Sequence, residues 1–315
     1  MKKYSATQGA TLLVLLLAVL IFSGCAVKQQ SLQNEDKAKL KVAATIFPLA
    51  DIVRNVGGST VEVTTLVAPG ASPHTFEARP SDIINLQSAA LLFAIGHGVD
   101  DWTQELANGV ENIKIITVDN EISLRQSLDS YVPNIFLEAE EEEEEGGQDP
   151  HYWLSVKNAK IIAQTVADAL IAENPDDKSQ YENNLKQYLT QLDDLDIELS
   201  NMLASYAGRE VITFHDAWGY FTADYQLNII GVFEHSPGKG PTPQYLKALN
   251  DTAIAHNIAV VFTEPQLSSD VIKPFMRDLG LKLFTLDPLG GDGEQDSYIN
   301  LMRYNARTIN NAFAE

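Results

Sequence analysis

Cysteine is all but missing from this 315-residue chain: one occurs, Cys25, and none follows it. That scarcity rules out an intramolecular disulfide, a cysteine nucleophile in the body of the chain and any thiolate metal site, leaving His, Asp and Glu as the only transition-metal ligands. Basic residues are scarce too, 22 Lys and Arg against 43 Asp and Glu, for a formal net charge of −21. Such an acidic surface argues against nucleic acid as a partner and suits a small cation, although a merely solvated surface has the same composition. Long hydrophobic runs are absent beyond the first residues. Leu12–Phe22 is apolar throughout but only eleven residues long, short of the roughly 20 that cross a bilayer. Histidine is limited to six residues, and no HExxH pair occurs among them, which speaks against a zinc hydrolase.

What is present begins with an export signal. Lys2 and Lys3 precede the apolar run, which ends in Phe22-Ser23-Gly24-Cys25, a sequence resembling the lipobox of bacterial lipoproteins despite Phe22 standing where leucine is usual. We therefore expect a signal peptide over residues 1–24, lipidation at Cys25 and attachment to the extracytoplasmic face of a membrane. The polar stretch Lys28–Lys39 has no periodicity and reads as a flexible tether ending at residue 39.

From residue 41 onward, short β-rich runs alternate with helical patterns, the signature of parallel sheets built from βαβ units. Four strands are predicted at Lys41–Ile46, Val61–Val67, Ala90–Gly96 and Ile113–Val118, and four more at Glu210–His215, Leu227–Phe233, Ile258–Glu264 and Lys282–Asp287. Between the two sets, Tyr181, Leu185, Tyr188, Leu192, Leu195 and Leu199 recur at helical spacing, predicting one long helix over about Asp177–Ser205. Asn174-Pro175-Asp176 separates it from an earlier helix that starts at Ser155. The expected fold is α/β: a first lobe over 40–175 with an acidic loop at 138–147, a rigid linking helix over 176–206, and a second lobe over 207–315. Each lobe carries a roughly four-stranded parallel sheet.

Ligands of open parallel sheets bind beyond the carboxyl ends of the strands. His74 follows the second predicted strand, His97 ends the third and His151 lies past the fourth; His215 closes the fifth, His235 follows the sixth, Glu264 closes the seventh and Asp287 closes the eighth. Only His256 falls elsewhere, in a helix. Five histidines and two carboxylates at strand ends predict a His-rich metal site if the two sheet edges face each other. Position alone does not say which four would bind.

The local motifs resemble those of the metal-binding solute-binding lipoproteins of bacterial ABC importers for zinc and manganese. The carriers are TIFPLADIVRNVGG at 45–58, LVAPGASPHTFEARPSDI at 66–83, DPHYWLS at 149–155, ITFHDAWGYF at 212–221, FTEPQ at 262–266 and LDPLGG at 286–291. The resemblance runs from about Val42 to Phe313. It implies two α/β lobes joined by a long helix, metal ligands at His74, His151, His215 and Asp287, a permease as membrane partner, a monomer and no enzymatic activity. Glu77, Asp216 and Glu264 are candidate acceptors that could orient the ligand imidazoles, with helix capping as the other role for Asp216. His97, His235 and His256 are expected in loop or surface roles, with a transient metal contact the alternative for His235.

Three imidazoles and one carboxylate form a nitrogen-rich shell that favours zinc, whereas manganese prefers more oxygens. In the family's manganese importers the third ligand is commonly glutamate, and here it is His215, so one tight zinc ion is expected, with manganese or dual use as the alternative. Three ordinary imidazoles further predict that binding displaces about three protons below their pKa near 6.5. Two departures remain. Seven glutamates fill eight positions from Glu138 to Glu145, where zinc-binding relatives often carry histidines; the block reads either as a weak cation collector or as a solvated loop. A surface adhesin, a role described for some relatives, and a zinc hydrolase are the remaining functional classes.

Overall fold

The computed structural model describes residues 38–127, 147–234, 241–266 and 273–314. The export signal, Cys25, the Glu138–Glu145 block and His235 lie outside the described residues. In the first lobe the chain runs β1 (Leu40–Ala44), α1 (Phe47–Gly57), β2 (Val61–Thr65), α2 (Pro80–Leu86), β3 (Leu91–Ala94), α3 (Trp102–Asn108) and β4 (Lys114–Thr117). Helices α4 (Val156–Glu173) and α5 (Lys178–Leu203) follow. The second lobe runs β5 (Glu210–His215), α6 (Gly219–Asp224), β6 (Asn228–Glu234), α7 (Pro243–Ala255), β7 (Val260–Thr263), α8 (Lys273–Leu279), β8 (Lys282–Thr285) and α9 (Tyr298–Ala314).

Both sheets are parallel and have the same order, β2-β1-β3-β4 and β6-β5-β7-β8. In each, the order reverses beside the first strand, between β1 and β3 and between β5 and β7, and such a reversal opens a crevice at the carboxyl ends. The predicted strands occur where expected, trimmed by a residue or two at their carboxyl ends in most cases. Asp287, predicted to close the last strand, lies two residues beyond β8 in a turn.

Period-two alternation divides the strand side chains between two layers. Val42, Ala44, Leu91, Phe93, Val211, Val260 and Phe262 belong to one large core, while Ala43 and Leu92 pack outwards with α2 and α3, and Ile212, Phe214 and Val261 outwards with α7. His215 shares the parity of Val211, so β5 delivers its imidazole on the large-core face.

The linking region begins at Ser155, whose hydroxyl accepts the Asn158 N–H at 3.2 Å and caps α4. Pro175 opens a single 3-10 turn and separates α4 from α5. The 26 residues of α5 extend about 39 Å at 1.5 Å per residue. Its buried stripe is Tyr181, Leu185, Tyr188, Leu192, Leu195, Leu199 and Leu203. The C-terminal helix α9 does not simply close the second lobe; it packs on α5, on β8 and on α1 of the first lobe. The Tyr298 N–H donates to Asp51 on α1 at 2.9 Å, and the Tyr298 hydroxyl donates to the Trp153 carbonyl at 2.8 Å. Side chains from β1, β3, β5, β7, α1, α4, α5, α6 and α9 consequently share one hydrophobic cluster.

Candidate metal centre

Two loops and the end of β5 bring His74, His151 and His215 together. His74 occupies a single 3-10 turn, Pro73–Thr75, anchored where the Trp102 indole N–H donates to the Pro73 carbonyl at 3.1 Å. Phe76 stacks on the same indole with ring centres 4.3 Å apart. His151 is held by a local turn in which Asp149 Oδ1 accepts both the His151 backbone N–H and its Nδ1, each at 2.9 Å. The Asp149 carbonyl in turn accepts the Tyr220 hydroxyl of α6 at 2.9 Å, and that hydroxyl accepts the Arg125 N–H. His215, at the end of β5, directs Nδ1 at the buried Glu264 carboxylate, 3.0 Å from Oε2. Trp218 Nε1 donates to Glu264 Oε1 at 2.9 Å and holds that carboxylate from its other side.

These carboxylates settle the tautomers. With Nδ1 of His151 and of His215 committed as donors, the Nε2 lone pairs are left for another partner. The Nε2 atoms of His74 and His151 lie 3.2 Å apart, and one ligand atom from each of the three rings falls within 4.8 Å of the others. A tetrahedral ion with nitrogens at about 2.0–2.1 Å separates them by about 3.3–3.4 Å, so the His74–His151 pair already stands near that spacing. His215 Nε2 is buried without a hydrogen-bond partner, an orphan that an ion would satisfy. The rings border a cavity of about 30 Å³ that is also lined by Trp153, Glu264, Gln266 and Leu289, space for an ion rather than an organic ligand.

Burial and neighbours set the charge of the three rings. Desolvation, reinforced by the facing imidazoles, lowers the pKa of His74 to about 3. Burial likewise holds His151 well below the ordinary value. His215 moves the other way, since Glu264, by charge and hydrogen bond, together with Asp216 and Asp149 outweighs its desolvation and raises it. Asp149 is pushed up to about 7 by its own burial.

Asp287 is buried and bonded to the cavity-lining Gln266, but its carboxylate is not one of the ligand atoms gathered within 4.8 Å. Its Oδ1 accepts three bonds at 3.0 Å, from Gln266 Nε2 and from the Leu289 and Gly290 N–H groups, so Oδ2 is the oxygen left for an ion. Among the candidate orienting residues, Glu264 grips His215. Asp216 acts on it through charge, and the cap position of α6 is Trp218. Glu77 is exposed and, among the described residues, forms no hydrogen bond to the three rings. His97 pairs with Asp119 at 2.8 Å, and His256 with Glu210 at 2.9 Å; neither belongs to the cluster. The sequence reading passed over Asp149 and Gln266. The Asp-x-His spacing was a visible signal for the first, whereas nothing local marked the second.

The family described as zinc-uptake complex component A, periplasmic, matches residues 42–312. The chain is 30% identical to the metal ABC transporter substrate-binding lipoprotein SsaB of Streptococcus sanguinis, over 96% of this chain and 97% of that one. It is 29% identical to the manganese ABC transporter substrate-binding lipoprotein PsaA of Streptococcus mitis, over 97% and 98%. Among solved structures it is similar to a crystal structure of ZnuA, at a TM-score of 0.74 and 32% identity over 87% of this chain and 99% of that chain. The manganese complex of the binding protein FpvC from Pseudomonas aeruginosa also has a TM-score of 0.74, at 25% identity over 88% and 98%.

Proposed function

The chain belongs to the family of zinc-uptake complex component A proteins, the metal-binding receptors of ABC importers, and from that premise we propose that its cargo is zinc. The ion is held by His74, His151, His215 and Asp287 and handed to a membrane permease. The observation that carries this reading is the cluster of three imidazoles with converging ring nitrogens. Imidazole nitrogen suits zinc better than it suits manganese, which favours oxygen donors. Manganese is the second reading, favoured by relatives named for that metal. In either case the relatives' designation as lipoproteins and the Phe22–Cys25 sequence support anchorage outside the membrane through Cys25.

The experiment is a competition. Protein purified from membranes, stripped and offered equimolar zinc and manganese is expected to retain one zinc per chain, and equal retention of manganese would overturn the zinc assignment. Alanine at His74, His151 or His215 should each cost at least about tenfold in zinc affinity. Two unaffected variants would remove the assigned shell, and Cys25→Ser should yield the same metal content from the soluble fraction.

A further inference from the structure

The loop after β7 reaches both parts of the second lobe that face the cavity. Glu264 and Gln266 flank the exposed Pro265 and both line the cavity. Glu264 turns to His215 and Gln266 to Asp287. Because Asp287 Oδ1 already accepts the Leu289 and Gly290 N–H groups, the Gln266 amide presents its Nε2 to that oxygen, which leaves Oε1 as the amide's other atom. That Oε1 is buried and has no hydrogen-bond partner. Of the residues lining the cavity, two carry such an orphan atom among the described residues: Gln266 at Oε1 and His215 at Nε2.

We propose that the Gln266 side-chain carbonyl is a further ligand for the ion, a neutral oxygen that adds to the imidazoles and sets how well the site accepts manganese beside zinc. The inference rests on the reading of this cavity as a divalent-metal site. An amide oxygen is a hard donor of the kind manganese prefers and zinc can do without. With Asp287 Oδ1 saturated by three N–H donors, Gln266 Oε1 restores an oxygen that the carboxylate's one remaining atom does not supply. Gln266 thereby has two tasks, steadying Asp287 through Nε2 and meeting the cation through Oε1.

Two variants of the full chain separate these tasks, read by zinc and manganese affinities and by the absorption spectrum of the cobalt-loaded protein. Gln266→Met is near-isosteric and lacks the oxygen. It should lower manganese affinity by about tenfold or more and zinc affinity by less than about threefold, and should strengthen cobalt absorption as coordination falls towards four. Gln266→Glu keeps an oxygen for the ion but sets a second carboxylate against Asp287; it should hold manganese affinity at or above the original. If both variants lose zinc and manganese alike and the cobalt spectrum is unchanged, Gln266 acts only through Asp287 and the proposal is overturned. A parent protein that binds none of the three ions would instead overturn the metal-receptor reading, and the proposal with it.

Discussion

His151 and His215 are both buried, and His74 half-buried, yet they titrate in opposite directions: desolvation dominates at His74 and His151, whereas at His215 the Glu264 carboxylate, by charge and hydrogen bond, together with Asp216 and Asp149 outweighs it. Ordinary imidazoles would surrender about three protons to an incoming ion, but His74, lowered to about 3, and His151, also lowered, carry none near neutral pH. The protons to be displaced are those on His215, whose pKa is raised, and on Asp149, raised to about 7, because a metal on His151 Nε2 makes its Nδ1–H a stronger donor to the Asp149 carboxylate. Affinity should therefore fall as pH drops below about 7, with a slope of log affinity against pH near two between pH 5 and 6, and level off above both groups. Glu264→Gln removes the carboxylate that, by charge and hydrogen bond, raises the His215 pKa. It should bring the slope to about one and lower affinity by about 10 to 100-fold through the looser imidazole. Chelator competition across pH 5 to 8 measures both, and a slope of three in the parent protein would restore the simpler expectation of three unperturbed rings.

The strands and helices deliver these side chains to one place, and the contact between α9 and the Asp287 turn shows how far that delivery is encoded locally. Asn305 is fully buried on α9; its Oδ1 accepts the Asp287 N–H and its Nδ2 donates to the Asp287 carbonyl, both at 2.8 Å. Asn305→Ala leaves a buried donor and acceptor unpaired. It should cost about 2–6 kcal/mol of stability, at about 1–3 for each orphaned group, and loosen Asp287 enough to lower metal affinity; denaturant unfolding and the same competition assay check it. None of this was legible in the sequence, because Asn305 is one polar residue on an amphipathic helix and its partner is a tertiary neighbour 18 residues away. The strands were legible, since Val, Ile, Leu and Phe runs bounded by turns have few alternatives, and so was the stripe from Tyr181 to Leu199. His215 could be placed because it ends such a run. Gln266 could not, because its significance lies in which of its two amide atoms lacks a partner, a fact that exists only once Asp287 is beside it.

For the molecule as a whole, the relevant feature is that the two sheets do not have separate interiors. Two lobes read from strand periodicity suggest two cores joined by a brace, yet the large cluster runs from Val42 and Phe93 through Leu185, Leu192 and Leu199 of α5 to Phe262, Met302 and Ile309. The Trp153 indole N–H donates across the site to the Pro288 carbonyl at 2.9 Å, and Ser155 Oγ donates to Asp224 at 2.6 Å. Opening the lobes about a hinge would expose this shared surface at about 25 cal/mol for each Å² of apolar area, which favours small adjustments around the ion over wide closure. Residues 40–315 should accordingly melt as one unit, with calorimetric and van't Hoff enthalpies in agreement. Leu192→Ala, truncating a fully buried side chain in the middle of α5, should cost about 2–5 kcal/mol and lower that one transition without splitting it. Saturating zinc should raise the same transition, by about 4 kcal/mol at a thousandfold excess over the dissociation constant. If calorimetry of the metal-free protein resolves two transitions, of which Leu192→Ala moves only one, the lobes fold independently and the shared core does not couple them.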